Sequence, residues 1–186
     1  MNIGFALCGS FCTFEKVFPI MKTLTSEHTI TPVFSETVYS TDTRFGYARE
    51  SIGLAEKICG SSVIHTIAQA EPIGPKKLFD ALVIAPCTGN TLAKLAHGIA
   101  DTAVTMAAKS HLRNGRPVLI AVSTNDALGT AAENIGKLLV RKHYYFVPFR
   151  QDDPMEKPRS MVADFSLIPQ ALDSALNGQQ IQPVTI

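Results

Sequence analysis

The sequence predicts a three-layer α/β fold in which helices cover both faces of a mostly parallel, six-stranded sheet. Short apolar runs rich in β-branched residues alternate with helical patterns along the chain, as they do in proteins built from βαβ units. Two of these runs, ALVIA at 81–85 and VLIAV at 118–122, are continuously apolar. Such runs are typical of central strands that are covered on both faces.

The six expected strands are separated by segments that are long enough to cross over one face of the sheet. They are residues 3–7, 30–34, 63–67, 81–85, 118–122 and 144–147. The helices between them are expected at 13–24, 46–58, from about 91 after the polar turn, 102–113 and from 130, with a C-terminal helix at 165–176.

Apolar residues repeat at intervals of three and four in the first of these helices, which indicates one buried stripe. Gly60 is placed to end the second helix. The pattern TAAE, beginning at Thr130, is a capping-box signature for the helix that follows. Residues 70–80 contain two prolines and a glycine, so we expect a loop with one short turn there.

Residues 150–160, RQDDPMEKPRS, are polar and contain two prolines. They predict a long surface loop or an arm that contacts a partner. We expect residues 1–186 to form one domain, which includes this loop and the C-terminal helix.

The composition excludes several classes of protein. The chain has 186 residues, 46% of them hydrophobic, and 17 basic against 16 acidic residues give a formal net charge of +1. That balance lacks the basic excess of nucleic-acid-binding proteins. No run approaches the ~20 apolar residues of a spanning helix, and no basic segment precedes the first apolar run. We therefore expect a cytoplasmic protein that binds neither nucleic acid nor membrane.

The cysteines and histidines do not form a recognisable metal-binding pattern. The four cysteines include no CxxC pair, and the five histidines include no HExxH. Metal sites need clustered ligands, so we expect no metal ion and no disulfide framework.

Four turns that follow expected strands are rich in small polar residues that can bind a ligand. They are CGS at 8–10, SETVYSTDT at 35–43, PCTGNT at 86–91 and STNDALG at 123–129. Turns at the carboxyl ends of parallel strands meet at one edge of the sheet, where ligands bind. Free N–H groups, hydroxyls and helix dipoles can hold a phosphate there without Lys or Arg.

The same residue types also cap ordinary helices, and the chain contains neither GxGxxG nor GxxxxGK[ST]. The residues by themselves therefore predict an anionic, mononucleotide-like ligand and no more.

The segment APCTGNTLAKLAHGIAD at 85–101 resembles the PASANT…NGIAD signature of a flavoprotein family. That family includes peptidyl-cysteine decarboxylases, phosphopantothenoylcysteine decarboxylase and flavin prenyltransferases. The resemblance implies a flavodoxin-like fold, a homo-oligomer and a site for flavin mononucleotide (FMN).

In that family the loop after the first strand and the Pro-x-Ser/Thr-x-Asn-Thr turn contact the cofactor. Carried over by position, the cofactor-binding residues are Gly9, Ser10, Phe11, Pro86, Thr88, Asn90 and Thr91. Looser matches are Ser35 and Thr37 after the second strand, and Ser123 and Asn125 after the fifth.

Two departures from the family pattern bear on the chemistry. Decarboxylating members have a catalytic histidine eight residues before the Asp that opens the fourth strand, and here that position is Pro72. Their PAMN clamp corresponds to VSTN at 122–125, which keeps only the Asn. Because proline is neither an acid nor a base, the departures disfavour cysteine decarboxylation.

A closer resemblance extends from ALCGSFCTFEKV at 6–17 through 71–129 and 134–139 to about residue 160. Here the chain is similar to the B subunits of the dipicolinate synthases of spore-forming bacteria. These proteins form a group within the same family. The resemblance implies a role in oxidising dihydrodipicolinate to dipicolinate during sporulation, with a partner, the A subunit of the synthase, that binds a nicotinamide cofactor, NAD(P). A dicarboxylate substrate is implied as well.

A dicarboxylate needs cations or N–H groups at both ends, and its oxidation needs a base. The candidate cations are Arg44, Lys109 and Arg113, and the candidate bases are Glu71 and Asp126. Each is also explained as an ordinary solvated surface charge.

Cys87 lies in the turn at 86–91, beside a helix start that could lower its pKa, although the favoured explanation is a small residue that fills the turn. Two alternatives to the synthase stay open. One is a self-contained FMN-dependent decarboxylase or flavin prenyltransferase, and the other is a non-catalytic protein that stabilises its partner.

Overall fold

In the computed structural model, which describes residues 1–186, seven strands and eight helices follow one another along the chain. The strands are β1 (Asn2–Leu7), β2 (Thr29–Phe34), β3 (Ala81–Cys87), β4 (Val118–Thr124), β5 (Tyr144–Phe146), β6 (Phe149–Asp153) and β7 (Lys157–Ala163). The helices are α1 (Phe14–Leu24), α2 (Glu36–Ser40), α3 (Ala48–Cys59), α4 (Ile67–Ala70), α5 (Gly89–His97), α6 (Ala103–Leu112), α7 (Thr130–Leu139) and α8 (Ile168–Leu176).

The sheet has the order β2-β1-β3-β4-β7-β6, and β5 also pairs with β4. Strands β1 to β5 pair in parallel, whereas β7 runs antiparallel to both β4 and β6. The chain moves outward from β1 to β2 and then returns to β3 on the other side of β1. The carboxyl ends of β1 and β3 therefore flank the point where strand order reverses, which is where ligands bind in such sheets.

The central strands are covered on both faces, as the continuous apolar runs predict. All seven residues of β3 are buried, and so are six of the seven in β4. A single cluster of 48 buried residues forms the core. The predicted three-layer, flavodoxin-like α/β fold with a mostly parallel sheet is confirmed, and the count of six strands is one short.

Two strand assignments need correction. Residues 63–67 do not form a strand of their own, because the only pairing there is one parallel bridge from Ile64 to Val33 of β2. The predicted long loop at 150–160 is wrong, because most of it forms the β6–β7 hairpin. Pro154 lies in the turn of that hairpin, and Pro158 is near the start of β7, in the part of that strand that does not pair with β4. Proline is tolerated where a strand has no partner on one side.

Strand β4 shares one edge between two partners. Its first residues, Val118–Ile120, pair with β5, and its last two, Ser123 and Thr124, pair with β7. The chain's tail reaches the same region, since Thr185 bridges Phe149 at the start of β6. This arrangement brings the hairpin to the carboxyl end of the sheet.

The helices lie close to their predicted positions. Helix α3 ends at Gly60, which adopts a left-handed conformation with φ of 65°, and the C-terminal helix is present as a 3-10 turn followed by α8. The capping box at TAAE is wrong: Gly129 occupies the N-cap of α7, and Glu133 pairs with Lys137 instead. No helix combines the length and the apolar character that crossing a membrane requires.

Candidate functional site

The four polar turns predicted from the sequence meet at the carboxyl edge of the sheet. Cys8 N–H donates to Pro86 O at 3.3 Å, which ties the turn after β1 to the turn after β3. Ser35 N–H donates to Leu7 O at 3.0 Å, which ties the start of α2 to the end of β1. A carbon atom added at Gly9 would contact the Thr37 methyl group at 3.4 Å. Glycine thus lets α2 approach the first turn closely.

A pair of hydroxyls joins the first turn to the end of β4. Ser10 Oγ and Ser123 Oγ are 2.8 Å apart, and Ser123 is almost completely buried. Ser10 O also accepts from Thr13 Oγ1 at 2.8 Å. These bonds fix the conformation of the turn that contains Gly9, Ser10 and Phe11, and they occupy one side of the Ser10 hydroxyl.

The turn after β3 ends in a helix whose first N–H groups are left without a side-chain acceptor. Thr88 is the N-cap of α5 but makes no capping hydrogen bond, and its Oγ1 lies 3.3 Å from Thr91 Oγ1 instead. The first N–H groups of a helix need an acceptor from outside the helix. Helix α5 therefore presents an open positive end at this edge, beside the exposed side chain of Asn90.

Gly89 allows the start of α5 to lie close to the end of β4. A carbon atom added there would be 2.9 Å from Thr124 Oγ1. The turns after β3 and β4 are therefore in van der Waals contact. Asn125 lies in the second of these turns with its side chain exposed, so it is free to contact a ligand.

Two cysteine thiols lie beneath the turns. Cys8 and Cys87 are buried, and Thr91 Oγ1 donates to Cys8 Sγ at 3.3 Å. Burial raises the pKa of Cys8 to about 11, and burial followed by the neighbouring Cys8 raises the pKa of Cys87 well above its usual value. The helix start does not lower the pKa of Cys87, because desolvation dominates. Both thiols are packing groups that stay protonated.

The β6–β7 hairpin adds a wall that the sequence did not predict. Ser123 pairs with Val162 and Thr124 with Met161, and Leu128 N–H donates to Arg159 O at 3.0 Å. The short apolar run MVA at 161–163 is the signal that could have identified β7, but the nearby prolines favoured a loop.

A stacked aromatic pair beside β2 was also missed. The rings of Tyr39 in α2 and His65 lie 3.6 Å apart with an angle of 3° between their planes. His65 directly follows Ile64, which bridges Val33 of β2. The stack fixes α2 against the outer side of the sheet.

The two candidate bases and Arg44, the first of the candidate cations, lie in different places. Asp126 is in the turn after β4, where its N–H donates to Thr124 Oγ1 at 3.3 Å and its carbonyl accepts from Gly129 N–H at 3.0 Å. Arg44 lies on the exposed loop after α2, with its guanidinium 4.8 Å from the centre of the Phe45 ring. Glu71 begins a 3-10 turn that packs on α6, and no hydrogen bond joins it to the four turns.

The other two candidate cations lie away from this edge. Arg113 packs beside Gly74 near the end of α6, and Lys109 lines a separate cavity with Arg141 and Tyr144. The turns themselves contain no Lys or Arg. A ligand in this site would therefore meet N–H groups, hydroxyls and amides, which suit a phosphate and a flat ring with polar edges. The structure contains no group of three side chains that could hold a metal ion.

Comparison with known proteins agrees with this geometry. Residues 1–157 match the family described as Flavoprotein. The chain is 48% identical over 186 residues to the B subunit of dipicolinate synthase from Bacillus subtilis (strain 168), and the match covers 100% of this chain and 93% of that protein.

Two solved structures show the similarity in three dimensions. The B subunit of dipicolinate synthase from Bacillus halodurans is 45% identical, with a TM-score of 0.91 over 100% of this chain and 95% of that one. The FMN-dependent cysteine decarboxylase SpaF is 24% identical, with a TM-score of 0.68 over 94% of this chain and 97% of that one. By sequence and by structure, the chain belongs to the Flavoprotein family.

Proposed function

We propose that the chain is the B subunit of a dipicolinate synthase, which oxidises dihydrodipicolinate to dipicolinate together with a nicotinamide-binding A subunit. The observation that carries the proposal is the 48% identity to a protein of that name over the whole chain. The proposed setting is the cytoplasm of the mother cell in a sporulating bacterium. Proline at position 72 disfavours the alternative of a cysteine decarboxylase, because the acid–base histidine of those enzymes is missing.

We further propose that FMN binds at the four turns. The open N–H groups of α5 suit the phosphate, and the exposed amides of Asn90 and Asn125 suit the polar edge of a flavin ring. When bound, FMN supplies a site that can accept two electrons. The residues of this chain would position it, because the bond between Ser10 and Ser123 fixes the first turn and Gly9 allows close approach.

Aromatising a dihydropyridine removes a hydride, which the NAD(P) of the A subunit would finally accept, and a proton. The proton acceptor that we propose in this chain is Asp126, because it lies in the turn after β4 beside the proposed flavin site. For the carboxylates we propose the backbone N–H groups of residues 123–126 and Arg44, whose loop follows α2. Buried thiols have no part in the proton transfer, because the pKa values of Cys8 and Cys87 are raised.

The decisive test assays this chain and its nicotinamide-binding partner, separately and mixed, with enzymatically generated dihydrodipicolinate and NAD(P). We expect activity only in the mixture. Full activity of the partner by itself would contradict a catalytic role and leave this chain the role of stabilising that partner. Decarboxylation of a cysteine-containing peptide by this chain alone would instead support the self-contained flavin enzyme.

FMN titration followed by visible absorbance tests the site itself. We expect saturable binding of FMN. The affinity should fall about tenfold or more in Asn90→Ala, because bound FMN loses a polar contact with the side chain. The matched control is Asn177→Ala, an exposed residue after α8, which should bind FMN like the natural chain. No uptake by the natural chain would contradict the FMN proposal and leave the assay of the two proteins unaffected.

A homo-oligomer is the assembly that we propose. Several large apolar side chains are exposed, among them Val140 at 85% and Met155 at 87%, and association of protomers would remove such surface from water. Sedimentation of the purified chain tests this, and a monomer at all concentrations would contradict it.

A further inference from the structure

A cavity of about 320 Å³ lies at the end of the sheet opposite the proposed flavin site. One side of it is Tyr144, which pairs with Val118, the first residue of β4. The proposed flavin site lies at the last residues of the same strand. The cavity is thus separate from that site, and its size is in the range of small-molecule pockets.

The floor of the cavity is apolar. Leu95, Ile99, Ala100 and Leu112 line it, from the end of α5, the turn that follows and the end of α6. Ile99 is 47% exposed, so part of this apolar lining is in contact with water. A flat apolar group placed here would remove this surface from water.

Two cations line the cavity, and no carboxylate does. Lys109 forms no ion pair within the chain, since the four that exist involve other residues. Arg141 donates from Nη1 to Leu95 O at 3.1 Å and from Nη2 to Ala96 O at 2.7 Å. These bonds fix the guanidinium at the rim, and three of its five N–H donors stay available.

Tyr144 adds a neutral donor next to this charge. Burial raises the pKa of Tyr144 to about 12, while the nearby Arg141 opposes the rise. The phenol therefore keeps its proton at physiological pH and can donate it in a hydrogen bond. An arginine, a lysine and a phenol around an apolar floor can each donate a hydrogen bond, and no carboxylate lines the cavity to accept one.

We propose that this cavity binds a small organic carboxylate with a flat apolar body. The carboxylate would take hydrogen bonds from Arg141, Lys109 and Tyr144, and the ring would cover Leu95 and Ile99. An inorganic anion would leave the apolar floor exposed, and a neutral ring would leave Lys109 and the remaining N–H groups of Arg141 without an anionic acceptor. Neither kind of ligand would contact both the apolar floor and the cations.

The test titrates benzoate into the full chain and follows binding by calorimetry or NMR. The chain is first saturated with FMN, so that benzoate cannot bind at the proposed flavin site. We expect saturable binding of benzoate that is tighter than that of acetate, inorganic phosphate or benzamide. Lys109→Met should weaken it about tenfold, because the charge is lost while the stem is kept, and Tyr144→Phe should weaken it several-fold.

Lys142→Met is the matched control, because Lys142 is exposed beside Arg141 but does not line the cavity. It should bind benzoate like the natural chain. The proposal is overturned if benzoate does not saturate, if Lys109→Met binds it as well as Lys142→Met does, or if benzamide binds equally tightly. Should the chain take up no FMN, the same titrations without FMN keep the test valid, because resonances of Ile99 and Leu112 locate the probe.

Discussion

Helices α5 and α6 begin with the same pattern, a threonine followed three residues later by a second threonine, yet their starts differ. At α6, Thr102 Oγ1 accepts from Thr105 N–H at 3.2 Å, and Thr105 Oγ1 accepts from Thr102 N–H at 3.1 Å. At α5, Thr88 caps nothing, and Thr91 donates to Cys8 Sγ at 3.3 Å instead.

The difference comes from the surroundings of each helix rather than from its own residues. The turn after β1 places a thiol within reach of Thr91, so the hydroxyls of α5 are directed into the protein and its N–H groups stay open. Helix α6 has no such neighbour, and its hydroxyls close on its own backbone. An open start at the carboxyl edge can bind a ligand, whereas a closed start stabilises the fold.

The largest effect that we expect concerns the far end of α6. His111 is fully buried, its Nε2 lies 3.0 Å from Pro117 O, and its Nδ1 has no partner. Burial, helped by Arg116, lowers the pKa of His111 to about 4. The unfolded chain binds a proton here below about pH 6.5, so the free energy of unfolding should fall as the pH drops from about 6.5 to about 4.

The loss at this one site should reach about 3 kcal/mol. Urea unfolding at pH 7 and pH 4.5 measures it, and His111→Gln, which cannot titrate but can still donate to Pro117 O, should lose less between the two pH values. His143→Gln, at an exposed position, should behave like the natural chain. Equal acid sensitivity of His111→Gln and the natural chain would refute the assignment.

A second prediction concerns how tightly α6 is packed. A carbon atom added at Gly74 would overlap the backbone carbonyl oxygen of Ser110 in α6, so the helix would have to move. Gly74→Ala should cost about 1–3 kcal/mol of unfolding free energy, as overpacking does. Gly136, in the middle of α7, has nothing within 4 Å of the added atom. Gly136→Ala should therefore stabilise the protein by about 0.5–1 kcal/mol, and urea unfolding of both variants measures the contrast.

The comparison of the two helix starts is tested by a pair of substitutions. Thr102→Ala should lower the free energy of unfolding by about 1 kcal/mol, because it removes a cap, and should leave FMN affinity unchanged. Thr88→Ala removes a side chain that caps nothing, so it should change stability by less than about 0.5 kcal/mol and weaken FMN binding. Thermal unfolding and FMN titration of both variants measure the two effects, and the reverse pattern would contradict the distinction.

Much of the fold could be predicted from the sequence because parallel strands that are buried on both faces consist of continuous apolar runs. ALVIA and VLIAV are such runs, and they form β3 and β4. The sequence pattern of the β6–β7 hairpin is weaker, because prolines and charges are tolerated near the edge of a sheet, where one face meets water. Ile64 likewise forms only one isolated bridge, to Val33, and no sequence pattern predicts a bridge of a single residue.

The candidate site was predictable only in part. The turns could be located because each follows a strand and parallel strands end at the same edge. Which hydroxyls are free and which are engaged could not be predicted, since Ser10 meets Ser123 across 113 positions of sequence. The placement of Lys109 in a separate cavity has the same cause: its neighbour Tyr144 is distant along the chain.

The shared edge of β4 has a consequence for motion. Strand β3 is held by hydrogen-bonded neighbours on both sides, whereas β7 joins β4 through only Ser123 and Thr124. Local opening follows the weakest attachment, so the hairpin can detach while the parallel strands stay intact. Amide protons of β7 should exchange with deuterium well before those of β3. A ligand that contacts both the hairpin and the turns would slow that exchange, which makes this wall a reporter of occupancy.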